Sequence, residues 1–134
     1  MIRVDPSLCI GCLSCSNVCP SQNILRTETV EERRIRWKRC REECDLCVEL
    51  CPARALTLVP IDESAPEPEV SFPLVGCRIC GRRYAPEPML RRVEAALPKS
   101  QSPEWVWDCP ACRRRAEAER TTGEMVAARR RRRG

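Results

Sequence analysis

Apolar positions fall in short bursts along the chain. Ile2 to Val4 is β-branched and edge-like and predicts a first strand, closed by a turn at Asp5-Pro6-Ser7. Ile24-Leu25 opens a second extended piece, Thr27 to Val30 runs into a polar reversal around Glu31–Arg34, and Ile35-Arg36-Trp37 returns, which predicts a β-hairpin. Ala55 to Val59 reads as a further strand. The stretch 60–73 then carries Pro60, Pro66, Pro68 and Pro73 with Asp62, Glu63, Glu67 and Glu69, the composition of an extended, hydrogen-bond-poor acidic spacer. Beyond it Met89, Leu90, Val93 and Leu97 recur at helical spacing, with Pro88 near the start and Pro98 as the stop. These four residues are expected to form a small core, not to line a cofactor. Trp105-Val106-Trp107 alternates like a strand. From Arg113 the chain is rich in Ala, Arg and Glu, weakly helical, and ends in the run Arg129 to Arg133, expected to be solvated and frayed.

Composition narrows the class. With 134 residues there is room for one ordinary domain or two small ones, and with 4% aromatic and 32% charged residues a large apolar core is not available. Domains of this kind need staples, and twelve cysteines supply them. The cysteines cluster at two- and three-residue gaps, which is metal-ligand spacing and not the spread of a secreted disulfide framework. No apolar segment follows Met1, Arg33-Arg34 lies too far inside for a twin-arginine signal, and no apolar run is long enough to cross a bilayer. The expected setting is the cytoplasm, peripheral on the cytoplasmic face of a membrane. Charge divides the chain: residues 1–76 carry 9 basic and 12 acidic side chains (net −3), residues 77–134 carry 15 and 7 (net +8).

The cysteine spacing supplies the chemistry. Cys9-Ile10-Gly11-Cys12-Leu13-Ser14-Cys15-Ser16-Asn17-Val18-Cys19-Pro20 is the run of bacterial 4Fe–4S ferredoxins, in which the first three thiolates wrap one cluster and the fourth serves another. A partner run therefore has to exist, and Cys40, Cys44, Cys47 and Cys51-Pro52 provide it. The two runs are an internal repeat, offset by 31 residues at Cys9/Cys40 and by 32 at Cys19/Cys51. Crossed sharing assigns Cys9, Cys12, Cys15 and Cys51 to cluster I and Cys40, Cys44, Cys47 and Cys19 to cluster II. Zinc at these eight thiols is the alternative, and the two Cys-Pro endings argue against it. Arg41-Glu42-Glu43 replaces the usual two-residue gap without its glycine, which leaves a distorted or three-iron cluster II open.

Cys77-Arg78-Ile79-Cys80-Gly81 and Cys109-Pro110-Ala111-Cys112 form a second kind of set, two Cys-x-x-Cys knuckles that suit one tetrahedral ion. With no histidine in the chain, Cys77, Cys80, Cys109 and Cys112 are the complete set available, for Zn²⁺ or a mononuclear iron. No Gly-rich nucleotide loop, Cys-x-x-Cys-His haem site, histidine base or carboxylate pair is found, so no catalytic residue is expected. Four-thiolate clusters exchange single electrons and do little bond chemistry. The chain is thus expected to carry current between sites on other chains.

The order of these motifs resembles a known family. A double 4Fe–4S run, a short spacer, then Cys77-Arg78-Ile79-Cys80-Gly81-Arg82-Arg83-Tyr84-Ala85, a helix and Cys109-Pro110-Ala111-Cys112-Arg113-Arg114 is similar to the ferredoxin-type subunit of membrane-associated (group 4) NiFe hydrogenases, as in formate hydrogenlyase subunit 6. That subunit is itself related to the two-cluster subunit of respiratory complex I. The resemblance implies two [4Fe–4S] clusters on the eight cysteines above and a ribbon metal on the other four. It also implies partners in a larger assembly: an electron-input oxidoreductase or ferredoxin on one side, the small subunit beside the NiFe site on the other. Membrane contact would come only through those subunits. The longer Cys40–Cys44 gap and the start almost directly at the first cysteine run depart from the family pattern.

The expected fold class is α+β: a duplicated bacterial-type 2×[4Fe–4S] ferredoxin fold over 1–59, the acidic spacer over 60–73, a small zinc-ribbon or rubredoxin-like module over 74–115, and a basic, partly disordered tail over 116–134. A nucleic-acid-binding or redox-sensing module is the alternative, motivated by the net +8 of the second part, and a free diffusible ferredoxin is a third. Nucleic acid ranks below the relay because it leaves one cluster idle.

Overall fold

A computed structural model describes residues 1–40, 44–100 and 103–133. The unusual Arg41-Glu42-Glu43 gap lies outside the described residues, so the expected distortion of cluster II is not addressed by it.

The elements run β1 (Ile2–Val4), α1 (Ser14–Val18), β2 (Ile24–Glu28), β3 (Glu32–Trp37), α2 (Leu46–Glu49), β4 (Leu56–Leu58), β5 (Glu69–Gly76), β6 (Arg83–Pro86), α3 (Glu87–Ala96), a 3₁₀ turn (Pro103–Trp107) and α4 (Pro110–Arg133). Short helices thus mix with antiparallel sheet. β1 and β4 pair antiparallel, with Ile2 opposite Leu58 and Val4 opposite Leu56, so the ends of the first 59 residues meet. The hairpin expected around Glu31 is β2–β3, with Ile24 opposite Trp37 and Glu28 opposite Arg33. Its turn is held by Thr29, whose hydroxyl accepts from the Glu32 N–H at 3.0 Å.

The hairpin is half of a four-stranded antiparallel sheet ordered β2-β3-β5-β6. This corrects the spacer expected over 60–73. Its last five residues belong to β5, where Val70 pairs with Ile35 and Phe72 with Arg33. Alternation at Val70, Phe72 and Leu74 outweighs the local prolines and glutamates, because Phe72 and Leu74 are buried. β5 pairs with β3 through Pro73 and with β6 from Leu74 onward, so Pro73 marks the hand-over between the two ladders.

One core gathers Ile2, Leu13, Ile24, Ile35, Trp37, Leu56 and Phe72 around Cys15 and Cys47. A smaller one joins Ala85, Leu90 and Val106 with the half-buried Val75, Tyr84, Leu97 and Trp107. α3 carries the expected helical residues, but only Leu90 is fully buried, Leu97 contributes in part, and Val93 is exposed. Two further expectations change. Trp105-Val106-Trp107 lies in the 3₁₀ turn and not in a strand; Val106 is buried there, while Trp105 is exposed. The tail is one continuous helix, α4, from the last knuckle to Arg133. It is polar on every side and exposed along nearly its whole length, its charges paired locally as in Arg120 with Glu117 and Glu124.

Candidate metal centres

From the third cysteine onward the two cysteine runs fold alike. In each, the third cysteine sits on a short helix: Cys15 on α1, Cys47 on α2. In each, Cys-Pro is followed by a tight turn with positive φ three residues after the cysteine, at Gln22 (φ 51°) and Arg54 (φ 52°). The next N–H then points back at sulfur: Asn23 donates to Cys19 Sγ at 3.3 Å and Ala55 to Cys51 Sγ at 3.4 Å. An N–H···S contact favours the thiolate over the thiol. The sequence repeat is therefore a repeat of backbone geometry.

The first loop is braced from outside. Gly11 has φ +69°, and a Cβ there would meet Phe72 Cδ2 at 2.9 Å and Pro86 Cγ at 3.0 Å. The close approach of β5 and β6 thus adds a second requirement for glycine to that of the positive φ. The Gly11 carbonyl accepts from Arg33 Nη1 at 2.8 Å, and Arg33 is buried and paired with Glu28 at 3.0 Å. Arg33 had only looked like part of a polar reversal.

Each four-sulfur set draws three cysteines from one run and one from the other. Cys9, Cys12, Cys15 and Cys51 line one hollow. Cys19, Cys40, Cys44 and Cys47 line a second. The rest of both linings is mainly apolar, with Ile2, Ile24 and Leu46 on the second and Leu13, Ile35 and Leu56 on the first. Trp37 stands in both linings. Burial pushes the thiols of Cys9 and Cys47 up and that of Cys15 up to about 12, and neighbouring cysteines add to the rise in each case. Four thiolates in so dry a place need a cationic centre to neutralise them. The donor set of each hollow, four cysteine sulfurs among apolar side chains, is of the kind that suits an iron–sulfur cluster.

The third set is tighter. The sulfurs of Cys77, Cys80, Cys109 and Cys112 all lie within 4.8 Å of one another. Cys80 and Cys109 Sγ are 3.8 Å apart, the edge length of a tetrahedron with metal–sulfur bonds of about 2.3 Å. One ion fits, and a cubane does not. The first knuckle turns at Gly81 (φ +75°), while Cys109 and Cys112 flank the start of α4, whose free N–H groups favour thiolates. At Cys77 burial pushes the thiol up, but the N–H groups of Cys109, Cys80 and Ile79 outweigh it and hold the group at about 6. Cys109 is lowered mainly by the Cys112 N–H, and Cys112 is driven up to about 12 by burial and its three neighbours. Without a cation the four cannot all be thiolates.

Two contacts missed in the sequence clamp this set. The Arg78 guanidinium reaches both carboxylate oxygens of buried Asp108 at 3.2 Å, tying the first knuckle to the residue before Cys109. The Tyr84 hydroxyl donates to the Val106 carbonyl at 2.6 Å. A charged residue beside each knuckle was the only available signal.

Among the described residues no helix is long and apolar enough to cross a membrane. No curated protein matches the sequence. Residues 1–52 match the model of the 4Fe-4S dicluster domain family, a match that spans the first run, the hairpin and the second run and supports an iron–sulfur protein of ferredoxin type.

Proposed function

We propose that the chain is an electron-relay subunit of a larger redox assembly. Cluster I rests on Cys9, Cys12, Cys15 and Cys51, cluster II on Cys40, Cys44, Cys47 and Cys19, and electrons pass singly from one to the other. The observation that carries this reading is the pair of four-sulfur hollows joined through one shared wall at Trp37. A single structural cluster would not need the second hollow. Bound clusters supply one-electron chemistry; the chain supplies thiolates, N–H···S contacts at Cys19 and Cys51, and exclusion of water. The set Cys77, Cys80, Cys109 and Cys112 takes Zn²⁺, or a single iron as the alternative, and acts as a staple, since zinc has no redox chemistry.

Following the family resemblance, the partners are an electron-input oxidoreductase or ferredoxin and the small subunit of a NiFe-hydrogenase or complex-I-like complex, on the cytoplasmic face of a membrane. The test is anaerobic purification from the native source, with metal analysis, EPR and mass spectrometry of co-purifying chains. The reading expects about eight irons and one further metal per chain, two interacting reduced clusters, and larger oxidoreductase subunits in the same fraction. A colourless, iron-free protein would end it.

A second reading has its own observation. α4 exposes Arg114, Arg115, Arg120 and Arg129 to Arg132 to solvent, and Arg26, Arg82 and Arg114 line an open groove between the hairpin and the four-cysteine set. This is the surface a nucleic-acid-binding, redox-sensing module would use. Steep salt dependence of duplex or RNA binding would favour it, and no binding at low salt would dismiss it.

A further inference from the structure

The inner end of β3 holds an unexplained polar atom. Trp37 is 1% exposed, the largest of the fully buried side chains. Its backbone is fixed: its N–H donates to the Pro68 carbonyl at 2.9 Å, and the following N–H of Lys38 donates to Asn23 at 2.8 Å. Its indole Nε1 is buried and has no hydrogen-bond partner among the described residues. A buried donor left unpaired costs its full desolvation penalty, which a phenylalanine at the same place would avoid. The other tryptophan with a half-buried ring, Trp107, does pair, through Nε1 to Glu94 at 3.3 Å.

Where the Trp37 ring lies suggests what the donor serves. Among the described residues it is the only one common to the linings of the two four-cysteine hollows. It shares one core with the apolar side chains Ile2, Ile24 and Ile35, with Cys15 of one set and with Cys47 of the other. We propose that the Trp37 indole N–H donates a hydrogen bond to a sulfur of one of the two cubanes and thereby sets the difference in potential between them. A donor aimed at cluster sulfur stabilises the more negative, reduced state and raises the potential of the cluster it touches. A single N–H reaches one cubane, so two clusters with near-equivalent loops become unequal. That inequality gives a relay its direction.

The inference rests on the two-cluster reading, and the experiment separates the two. The holoprotein is prepared with ¹⁵N-indole-labelled tryptophan, reduced, and examined by pulsed EPR, and redox titration compares it with Trp37→Phe, which keeps a ring and removes the donor. The expected result is a ¹⁵N and exchangeable-proton coupling to one cluster, lost in Trp37→Phe, together with a lowered potential for that cluster and an unmoved potential for the other. Two intact clusters with no tryptophan coupling in the wild-type protein would overturn the inference while leaving the relay standing. So would equal shifts of both potentials, since those report repacking. Absence of iron would sink the relay itself. Because the coupling is read in the wild-type protein, a poorly folding variant does not protect the idea.

Discussion

Three glycines allow the bracing of the first loop to be measured. At Gly11 an alanine meets two obstacles, at Gly81 one, and at Gly123 none. Gly11 needs φ +69°, and its added methyl would sit 2.9 Å from Phe72 Cδ2 and 3.0 Å from Pro86 Cγ. Neither neighbour can yield, since both are buried and ring-shaped. The left-handed backbone costs about 1–2 kcal/mol for a non-glycine residue, and forcing a methyl into a filled site adds about 1–3 kcal/mol. Gly11→Ala should therefore cost about 2–5 kcal/mol. Gly81 has φ +75° with nothing within 4 Å of the new carbon, so only the backbone cost applies, about 1–2 kcal/mol. Gly123 lies within α4 with open space around it, and alanine should strengthen that helix by about 1 kcal/mol without touching the centres.

The assay is the rate at which the sulfur-to-iron absorbance bleaches in anaerobic urea. With each 1.36 kcal/mol worth about tenfold in rate, Gly11→Ala should bleach at least roughly thirtyfold faster than wild type. Gly123→Ala should bleach at the wild-type rate while gaining far-ultraviolet helix signal. Pairing Gly11→Ala with Phe72→Leu should recover part of the loss, since two residues in contact are not additive. If Gly11→Ala bleaches no faster than Gly81→Ala, β5 and β6 do not press on the cluster loop and the bracing is wrong.

Other outcomes follow from the same contacts. Cys19→Ser should remove the EPR signal of the cluster held mainly by residues 40–47, and Cys51→Ser that of the cluster beside Cys9; loss of the nearer cluster in either case would refute crossed sharing. Cys77→Ser or Cys112→Ser should abolish the single-ion site while both clusters keep their iron, which metal analysis per chain will show. Zinc retention should fall with pH. Cys77, held at about 6, is already a thiolate near neutrality, whereas Cys112, at about 12, must release a proton to bind, and acid works against both. Release to a chromogenic chelator should therefore speed up on going from about pH 8 to about pH 6, and a flat profile would refute it. Asp108→Asn should speed the same release, because it weakens the paired contact with Arg78 that ties the knuckles together.

Cysteine spacing made the centres legible because it is a local code. A thiol three residues from the next one can reach the same metal in almost any fold, so the grouping of Cys77, Cys80, Cys109 and Cys112 could be read from the chain alone. The hairpin was legible for the same reason, its alternation and reversal lying within fourteen residues. What could not be read was contact at long range. Proline and glutamate in 60–73 speak for a spacer, and only the partner strand β3 shows that Val70 and Phe72 have somewhere to go. Trp105-Val106-Trp107 has strand-like alternation, yet among the described residues it pairs with no strand, and the segment closes as a 3₁₀ turn just ahead of Cys109. Arg33 reads as one of several charges on a turn; its burial against Gly11 is visible only once β5 covers that face.

Those same long-range contacts bear on how the chain works as a unit. Net charge and composition separate an acidic cluster-bearing part from a basic four-cysteine part, but one sheet runs through both. Phe72 and Pro86 press on the loop that carries Cys9 and Cys12, Arg33 holds that loop's carbonyl, and Arg92 of α3 reaches the Pro52 carbonyl at 3.4 Å. The four-cysteine module therefore does more than hang from the ferredoxin-type part by a tether: its strands close one side of the first cluster loop. A tetrahedral ion that fixes β6 and the knuckles in place would then act on cluster I without exchanging an electron, by holding rigid the wall against which Gly11 is packed. Loss of that ion should be felt first as faster bleaching of the cluster beside Cys9, before any change at the cluster beside Cys47.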